Sequence, residues 1–327
     1  MSGRVRLQAR SLKDAMISYL RRHGAPPDHA EIIADVLLEA ELRGKETHGL
    51  IRLEGIAARY SKDEMGEIKV VKRTGNHLLI DGGNNPGYVV AYLAAQRAID
   101  IARREGSAIV GAMNTNHCGM LGYYADMIRK EDLIGIATCN CYPFTTPLGG
   151  TEPVFGTNPV AVGIPTAKEP PLLFDASLAS LTIGRMLIQR ERGEPLPEGL
   201  AYDGEGNPTT DPAEARAVIP FGGHKGYGLM LISQILTTAL LGAPITPPRG
   251  RDYGILIMAI NPEIFVPIDR FKEEVSKLIE RVKSSRKADG VEEILIPGER
   301  SWRVRQRKLK EGVDVDERIA RLLDIGI

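Results

Sequence analysis

Apolar side chains recur at helical spacing over roughly the first 70 positions, then gather into short unbroken runs through the middle of the chain. The first pattern predicts helices with one buried stripe, the second short buried strands. Ser11 with Asp14 has the form of a capping box, and Gly24 suits a helix end. Pro26-Pro27-Asp28 opens a second helix through Leu42, with Ile32, Ile33, Val36, Leu37 and Ala40 on its apolar side. A third helix is expected over residues 47–60, which places His48 in a first turn where the positive helix end lowers an imidazole pKa.

The middle of the chain changes character after the turn cluster Asp81-Gly82-Gly83-Asn84-Asn85-Pro86-Gly87. A helix over 88–105 leads to a buried strand over 108–113, a polar loop around His117 and a helix over 123–130. Strands follow at 134–139, 160–164, 172–174 and 255–260. The apolar run 229–241 carries Ser233, Gln234, Thr237 and Thr238, so it reads as a buried helix and not a bilayer span. Residues 269–286 form a charge-laced amphipathic helix, with two more helices expected after Gly298. No repeat of fixed period appears.

Composition narrows the class. The 327 residues suffice for a large core or for two to three subdomains. Lys plus Arg and Asp plus Glu both number 42, so charge favours neither a nucleic acid nor an anionic membrane as partner. Three cysteines argue against a disulfide framework and fit a reducing cytoplasm. Met1-Ser2-Gly3-Arg4-Val5-Arg6 is not followed by an apolar core, so it does not read as a signal peptide, and the chain is expected to be soluble and cytoplasmic.

The chemistry concentrates in Glu46-Thr47-His48-Gly49-Leu50-Ile51-Arg52-Leu53. On a helix, His48 and Arg52 stand one turn apart on a shared face. A fixed cation to hold a carboxylate beside an imidazole that exchanges a proton suits reduction of an oxo acid. Taken alone, the pair equally fits a solvated helix surface. A second polar cluster, Asn114-Thr115-Asn116-His117-Cys118-Gly119, and several glycine-rich loops shift the balance. In Gly222-Gly223-His224-Lys225, a lysine and free amides open a long helix, a good place for phosphate or carboxylate, though a simple turn has the same form. Pro297-Gly298-Glu299-Arg300 has the same build, and Arg300 and Arg303 are either phosphate contacts or solvated arginines. Neither Gly-x-Gly-x-x-Gly after an early strand nor a P-loop is present, so a nicotinamide cofactor would not be held by an ordinary Rossmann turn. His117-Cys118 with Cys139-Asn140-Cys141 offers zinc ligands on paper, but alternate strand positions point Cys139 and Cys141 to opposite faces, so no metal is expected.

These segments together resemble the type 2 malate/L-lactate dehydrogenases, a family that also holds L-sulfolactate, ureidoglycolate and cyclic-imine reductases. Thr47-His48-Gly49-Leu50 with Arg52, Asn116-His117 with Gly119, Pro147-Leu148-Gly149-Gly150, Gly156-Thr157-Asn158-Pro159, Phe174-Asp175-Ala176-Ser177, Pro208-Thr209-Thr210-Asp211-Pro212, Gly223-His224-Lys225-Gly226-Tyr227-Gly228 and Pro297-Gly298-Glu299-Arg300 occur in family order. The resemblance implies a mixed α/β fold like that of L-sulfolactate dehydrogenase. Its cofactor domain is not a Rossmann fold, its sheet is mixed, and a helical domain is built from both termini. The expected division is 1–72, helical with the catalytic histidine; 73–262, binding cofactor and substrate; and 263–327, helical and packed on the first.

The resemblance also implies an NAD- or NADP-dependent enzyme, a homodimer, acting on a small 2-hydroxy or 2-oxo acid. Malate is expected first; L-sulfolactate, L-lactate and ureidoglycolate are alternatives, and a zinc enzyme or a non-catalytic nucleotide-binding module belongs to other classes. His48 is then the proton carrier, held by Thr47, with Arg52 and Thr157 on the substrate; some relatives are described with the second histidine, His117, in that role. His117, Cys118, Gly119, Met120 and Leu121 lie against the cofactor, as do Asp175, Ala176 and Ser177, His224 and Lys225, and Pro297, Gly298, Glu299 and Arg300. One position departs from the pattern: several relatives carry an acid or a lysine just past a glycine where Arg185 follows Gly184. A permanent cation there disfavours imine reduction and suits a second acidic group on the substrate.

Overall fold

The computed structural model describes residues 3–62 and 65–325; Met1 and Ser2 of the N-terminal stretch lie outside them. The chain runs β1 (Arg4–Leu7), α1 (Ala9–Arg22), α2 (Pro27–Leu42), two 3-10 turns (Glu46–His48 and Leu50–Arg52) and α3 (Leu53–Lys62). Then come β2 (Lys69–Thr74), β3 (His77–Asp81), α4 (Gly87–Glu105), β4 (Ser107–Thr115), α5 (Gly122–Arg129), β5 (Ile134–Cys139), β6 (Val160–Ile164) and β7 (Leu172–Ala176). The remainder is α6 (Ile183–Arg192), β8 (Ala201–Tyr202), β9 (Ala217–Val218), α7 (His224–Thr237), β10 (Tyr253–Ile260), α8 (Ile268–Lys283), α9 (Glu299–Glu311), β11 (Val313–Asp316) and α10 (Glu317–Leu322).

Seven strands form the main sheet in the order β2-β3-β4-β10-β5-β6-β7. β3 and β4 pair in parallel and the other neighbours antiparallel, so the sheet is mixed as expected. β10, nearly all apolar, takes a central position between β4 and β5. α4 and α5 pack against one part of this sheet, and α7 meets β5 and β10. The main core runs from Leu12 and Met16 through Ile33, Leu37 and Tyr88 to Val110, Ala137 and Ile257. A smaller one joins Phe144, Phe155, Leu178, Val218 and Met230.

The two ends of the chain meet. β1 pairs antiparallel with β11, from Arg4 opposite Asp316 to Leu7 opposite Val313. α9 lies on α2, where Arg305 Nε donates to Glu39 at 2.8 Å and Lys308 Nζ donates to the Glu41 carbonyl at 2.7 Å. No described helix is long and apolar enough to cross a membrane.

Three sequence expectations need correction. Ser11 lies inside α1, which begins at Ala9 without a side-chain cap. The helix expected over 47–60 is broken at Gly49 into two short turns, and α3 begins only at Leu53. The run 229–241 is not buried throughout: Leu229, Ile232, Ile235 and Leu240 are at least half exposed along one side of α7 and just beyond it. Its polar Ser233, Gln234 and Thr237 face inward instead, where Ser233 meets Thr138 at 2.6 Å and Gln234 accepts from Asn158 at 2.8 Å.

Candidate active site

The break at Gly49 creates the site. Gly49 ends one turn and starts the next with φ −98° and ψ −137°, so the chain changes direction between His48 and Arg52. A Cβ at Gly49 would fall 2.1 Å from a carboxylate oxygen of Glu41, so any side chain there would displace that carboxylate. Arg52 folds back, its Nε donating to the Thr47 carbonyl at 2.8 Å. The Thr47 hydroxyl lies 3.0 Å from His48 Nδ1, leaving Nε2 as the ring's free nitrogen. His48 and Arg52 are brought together, but by a folded-back turn and not by a helix face.

His117 arrives from the other side, on the loop that leaves β4. Asn116 holds this loop to the start of α4: its side chain donates to the Asn85 carbonyl at 3.1 Å and accepts from Gly87 N–H at 3.1 Å. The His117 ring stacks on His48 with centroids 5.7 Å apart. Its Nδ1 lies 3.1 Å from the Tyr88 hydroxyl and accepts the Gly119 N–H at 3.2 Å. An amide N–H only donates, so Nδ1 must carry a lone pair and neutral His117 holds its proton on Nε2.

Both histidines border a chamber of about 330 Å³. Arg52, Gly119, Met120, Leu121, Thr157, Asp175 and Ser177 line it too, as the sequence led us to expect. Lys45, Tyr142, Arg249 and Tyr253 also line it, and the sequence reading missed all four. Arg249 stands over the Tyr142 ring at 5.3 Å. The Pro247-Pro248-Arg249-Gly250 loop carried a usable signal, a cation held by prolines and a glycine, but nothing in its spacing ties it to residue 48.

Other expected residues fall outside the chamber. Cys118 is buried, its Sγ 3.8 Å from that of Cys139, while Cys141 turns to Thr157. Among the described residues no group of three or more His, Cys, Asp or Glu side chains is placed to hold a metal. Ala176 pairs with Val160 in the sheet between the two chamber residues Asp175 and Ser177. Arg185 is exposed and absent from the wall: its neighbour Gly184 faces Thr47 so closely that a Cβ would lie 2.5 Å from Thr47 Cβ, and the next helical position turns away. His224 and Lys225 are exposed at the start of α7. Pro297 and Gly298 sit against Leu173, two residues along β7 from Asp175, with the Pro297 carbonyl accepting Leu173 N–H at 3.1 Å. Glu299 is buried and used internally, paired with Lys283 at 2.6 Å and Arg303 at 2.5 Å, while Arg300 is exposed.

The electrostatics follow from burial among cations. Burial first, then Arg52 and Lys45, lower the His48 pKa to about 4. Burial, Arg52 and His48 push His117 well below the usual imidazole value. Both rings are therefore neutral at pH 7 when the chamber holds no anion. Asp175 is the chamber's acid, and burial raises its pKa against the pull of Lys45. Arg52 has no carboxylate partner among the described residues, so its outer N–H groups are available to a ligand. The site thus presents a forked cation, a neutral imidazole, a fixed imidazole N–H and a half-buried acceptor. A half-buried carboxylate suits hydroxyl or amide donors, as a nicotinamide riboside offers, and a chamber of this size fits that end of a cofactor beside a small acid.

A sequence model of the malate/L-lactate dehydrogenase family matches residues 7–324. The malate/(S)-sulfolactate dehydrogenase of Methanothermus fervidus is 38% identical over 325 residues, covering 95% of this chain and 94% of that protein. The malate dehydrogenase of Pyrococcus horikoshii is 37% identical over 330 residues, covering 94% and 91%. Among solved structures, the sulfolactate dehydrogenase of Methanocaldococcus jannaschii superposes with a TM-score of 0.87 at 35% identity, over 98% of this chain and 95% of that one. A match along nearly the whole length, in sequence and in fold, means that the chain belongs to the malate/L-lactate dehydrogenase family, enzymes that work on small hydroxy or oxo acids with a nicotinamide cofactor.

Proposed function

We propose that this protein is an NAD- or NADP-dependent dehydrogenase that interconverts a small 2-hydroxy acid and its 2-oxo acid, with malate and oxaloacetate as the preferred pair. The observation that carries this reading is the convergence of His48, His117 and the unpaired Arg52 on one chamber. Arg52 grips the carboxylate next to the reacting carbon, for which its planar fork is suited. His48 gives a proton to the carbonyl oxygen in reduction and takes it back in oxidation. The Thr47 hydroxyl either donates to or accepts from Nδ1, so it supports both protonation states of His48. His117 has no such freedom, because Gly119 N–H occupies its Nδ1; it serves as a fixed Nε2–H donor to the same oxygen. A bound nicotinamide supplies the hydride acceptor or donor. Gly119, Met120, Leu121, Asp175 and Ser177 would hold its ring and ribose, and Pro297, Gly298, Arg300, His224 and Lys225 would be the further contacts for the rest of the dinucleotide.

The chamber's cations bear on substrate choice. Arg249 lines the chamber where Arg185, expected from the sequence to meet a second acidic group, does not, and in this reading it is the second cation for a distal acidic group. A dianion such as oxaloacetate or its sulfonate counterpart then gains an ion pair that pyruvate lacks. The exposed apolar side of α7, continued by Ile245, calls for a cover, and a second copy of the chain is the partner that the family resemblance implies. Three free thiols, two of them buried, suit a reducing cytoplasm.

The deciding experiment follows the absorbance of reduced cofactor with NADH and NADPH against oxaloacetate, sulfopyruvate, pyruvate and other oxo acids. Turnover fastest with a dianionic oxo acid is the expected result. Cofactor binding without turnover on any of them would overturn the proposal.

A further inference from the structure

The catalytic turn is a thin partition. In front lies the chamber; behind lies a second cavity of about 540 Å³, and Arg52, Gly184 and Leu187 border both. Thr47, Leu50 and Ile51 line the rear cavity directly, facing Asp314 and Ile319 across it. With open space on both sides, packing alone does not fix where His48 stands relative to Arg52. A polar anchor is needed, and one is present. Glu41 is 5% exposed at the end of α2, borders the rear cavity and accepts the Leu50 N–H at 2.8 Å. Leu50 N–H sits just past Gly49, at the joint between the two turns.

The mount behind Glu41 is rigid. Two residues on, Arg43 is buried and ties the end of α2 to α5 through Asp126 at 2.9 Å. Lys308 holds the Glu41 carbonyl from α9, and Arg305 holds Glu39. A buried carboxylate so placed is costly, and burial pushes its pKa up to about 7. Glutamate kept in such a place fits a geometric duty better than a packing one.

We propose that Glu41 is a positioning residue for the reaction: through Leu50 N–H it sets the turn that carries His48 against the turn that carries Arg52. The inference rests on the reading of those two residues as proton carrier and carboxylate clamp. Glu41 touches neither substrate nor cofactor. Its removal frees the joint, and a displacement on the ångström scale at His48 costs about 100-fold in turnover.

The test compares Glu41→Ala with Glu41→Gln in the full-length protein. Glutamine keeps the volume and an acceptor oxygen; alanine keeps neither. Three readouts are taken: kcat and KM with oxaloacetate and reduced cofactor, direct binding of that cofactor, and hydrogen exchange at the Leu50 amide. Glu41→Ala is expected to lose about 100-fold in kcat, with cofactor affinity and melting temperature close to the parent's and Leu50 protection lost. Glu41→Gln should restore most of the turnover and the protection. Full turnover in Glu41→Ala would overturn the proposal, and so would equal losses in both variants or a general loss of cofactor binding and folding. If the parent itself turns over no oxo acid, the functional reading fails, and the exchange arm still decides whether Glu41 holds the joint.

Discussion

His48 and His117 stack within one chamber, yet their partners differ in kind, and the roles proposed for them differ accordingly. His48→Ala is expected to lower turnover by about 10²–10⁴-fold with cofactor affinity retained, as for other general acid–base groups. A variant of His117 that abolishes turnover while His48→Ala stays active would reverse the two roles. Arg52→Lys keeps the charge and loses the fork, so it should raise KM for the oxo acid; unchanged saturation would remove Arg52 from the site. The lowered imidazole pKa of His48 also makes a prediction about pH. The unfolded chain takes up a proton at His48 near 6.5, whereas the folded chain resists until about pH 4. The His48 contribution to folding stability should therefore fall as pH drops from about 6.5 toward 4 and stay level above that window. Glu41, its carboxyl raised to about 7, contributes with the opposite sign, so the effect is read as a loss of the parent's stability relative to His48→Gln. Thermal melts of both proteins from pH 7.5 to 4.5 check this; parallel curves would contradict it. A substrate carboxylate on Arg52 removes one cause of the lowering, so oxo acid binding should draw in a proton, which calorimetry in two buffers of different ionisation heat detects.

Elements explain how these side chains meet. α6 reaches Thr47 only because Gly184 has no side chain. Gly184→Ala should push α6 away, disturb the Thr47–His48 contact and reduce kcat more than it reduces cofactor binding; equal activity would show that the helix shifts freely. The neighbouring position serves to test the cations. Arg249→Ala should cost more with oxaloacetate than with pyruvate, whereas Arg185→Ala, exposed and outside the chamber, should affect both little. If Arg185→Ala alone discriminates between the two acids, the distal role returns to it. Much of this framework could be read from the chain: α2, α4, β4 to β7 and β10 carry apolar periods strong enough to be placed within a few residues. β1 and β11 could not, because four alternating residues become half of a ribbon only when paired with a segment some 300 positions away. β2 has six exposed residues and hence no apolar signal. The turn that carries His48 misled for a physical reason: the His48-to-Arg52 spacing is helical, but Gly49 and the buried Glu41 beneath it impose a bend that no local period records.

At the scale of the whole molecule, the outward side of α7 carries a cluster of exposed apolar side chains. Leaving Leu229, Ile232, Ile235 and Leu240 about half exposed forgoes roughly 1 kcal/mol each compared with full burial. Ile232→Glu should convert a dimer into a monomer in analytical ultracentrifugation, and a parent protein that is monomeric and fully active would refute the assembly. The pairing of β1 with β11 has a different consequence, one that belongs to the order of synthesis. Arg6 emerges from the ribosome early but meets Asp314 only after 308 further positions have been made. The same late segment supplies Asp314 and Ile319 to the far wall behind the catalytic turn. A nascent chain thus carries His48, Arg52 and Glu41 long before the surface that encloses their rear side exists. Activity should arrive only after the segment that carries Asp314 and Ile319 has been made and has folded back onto the N-terminal residues.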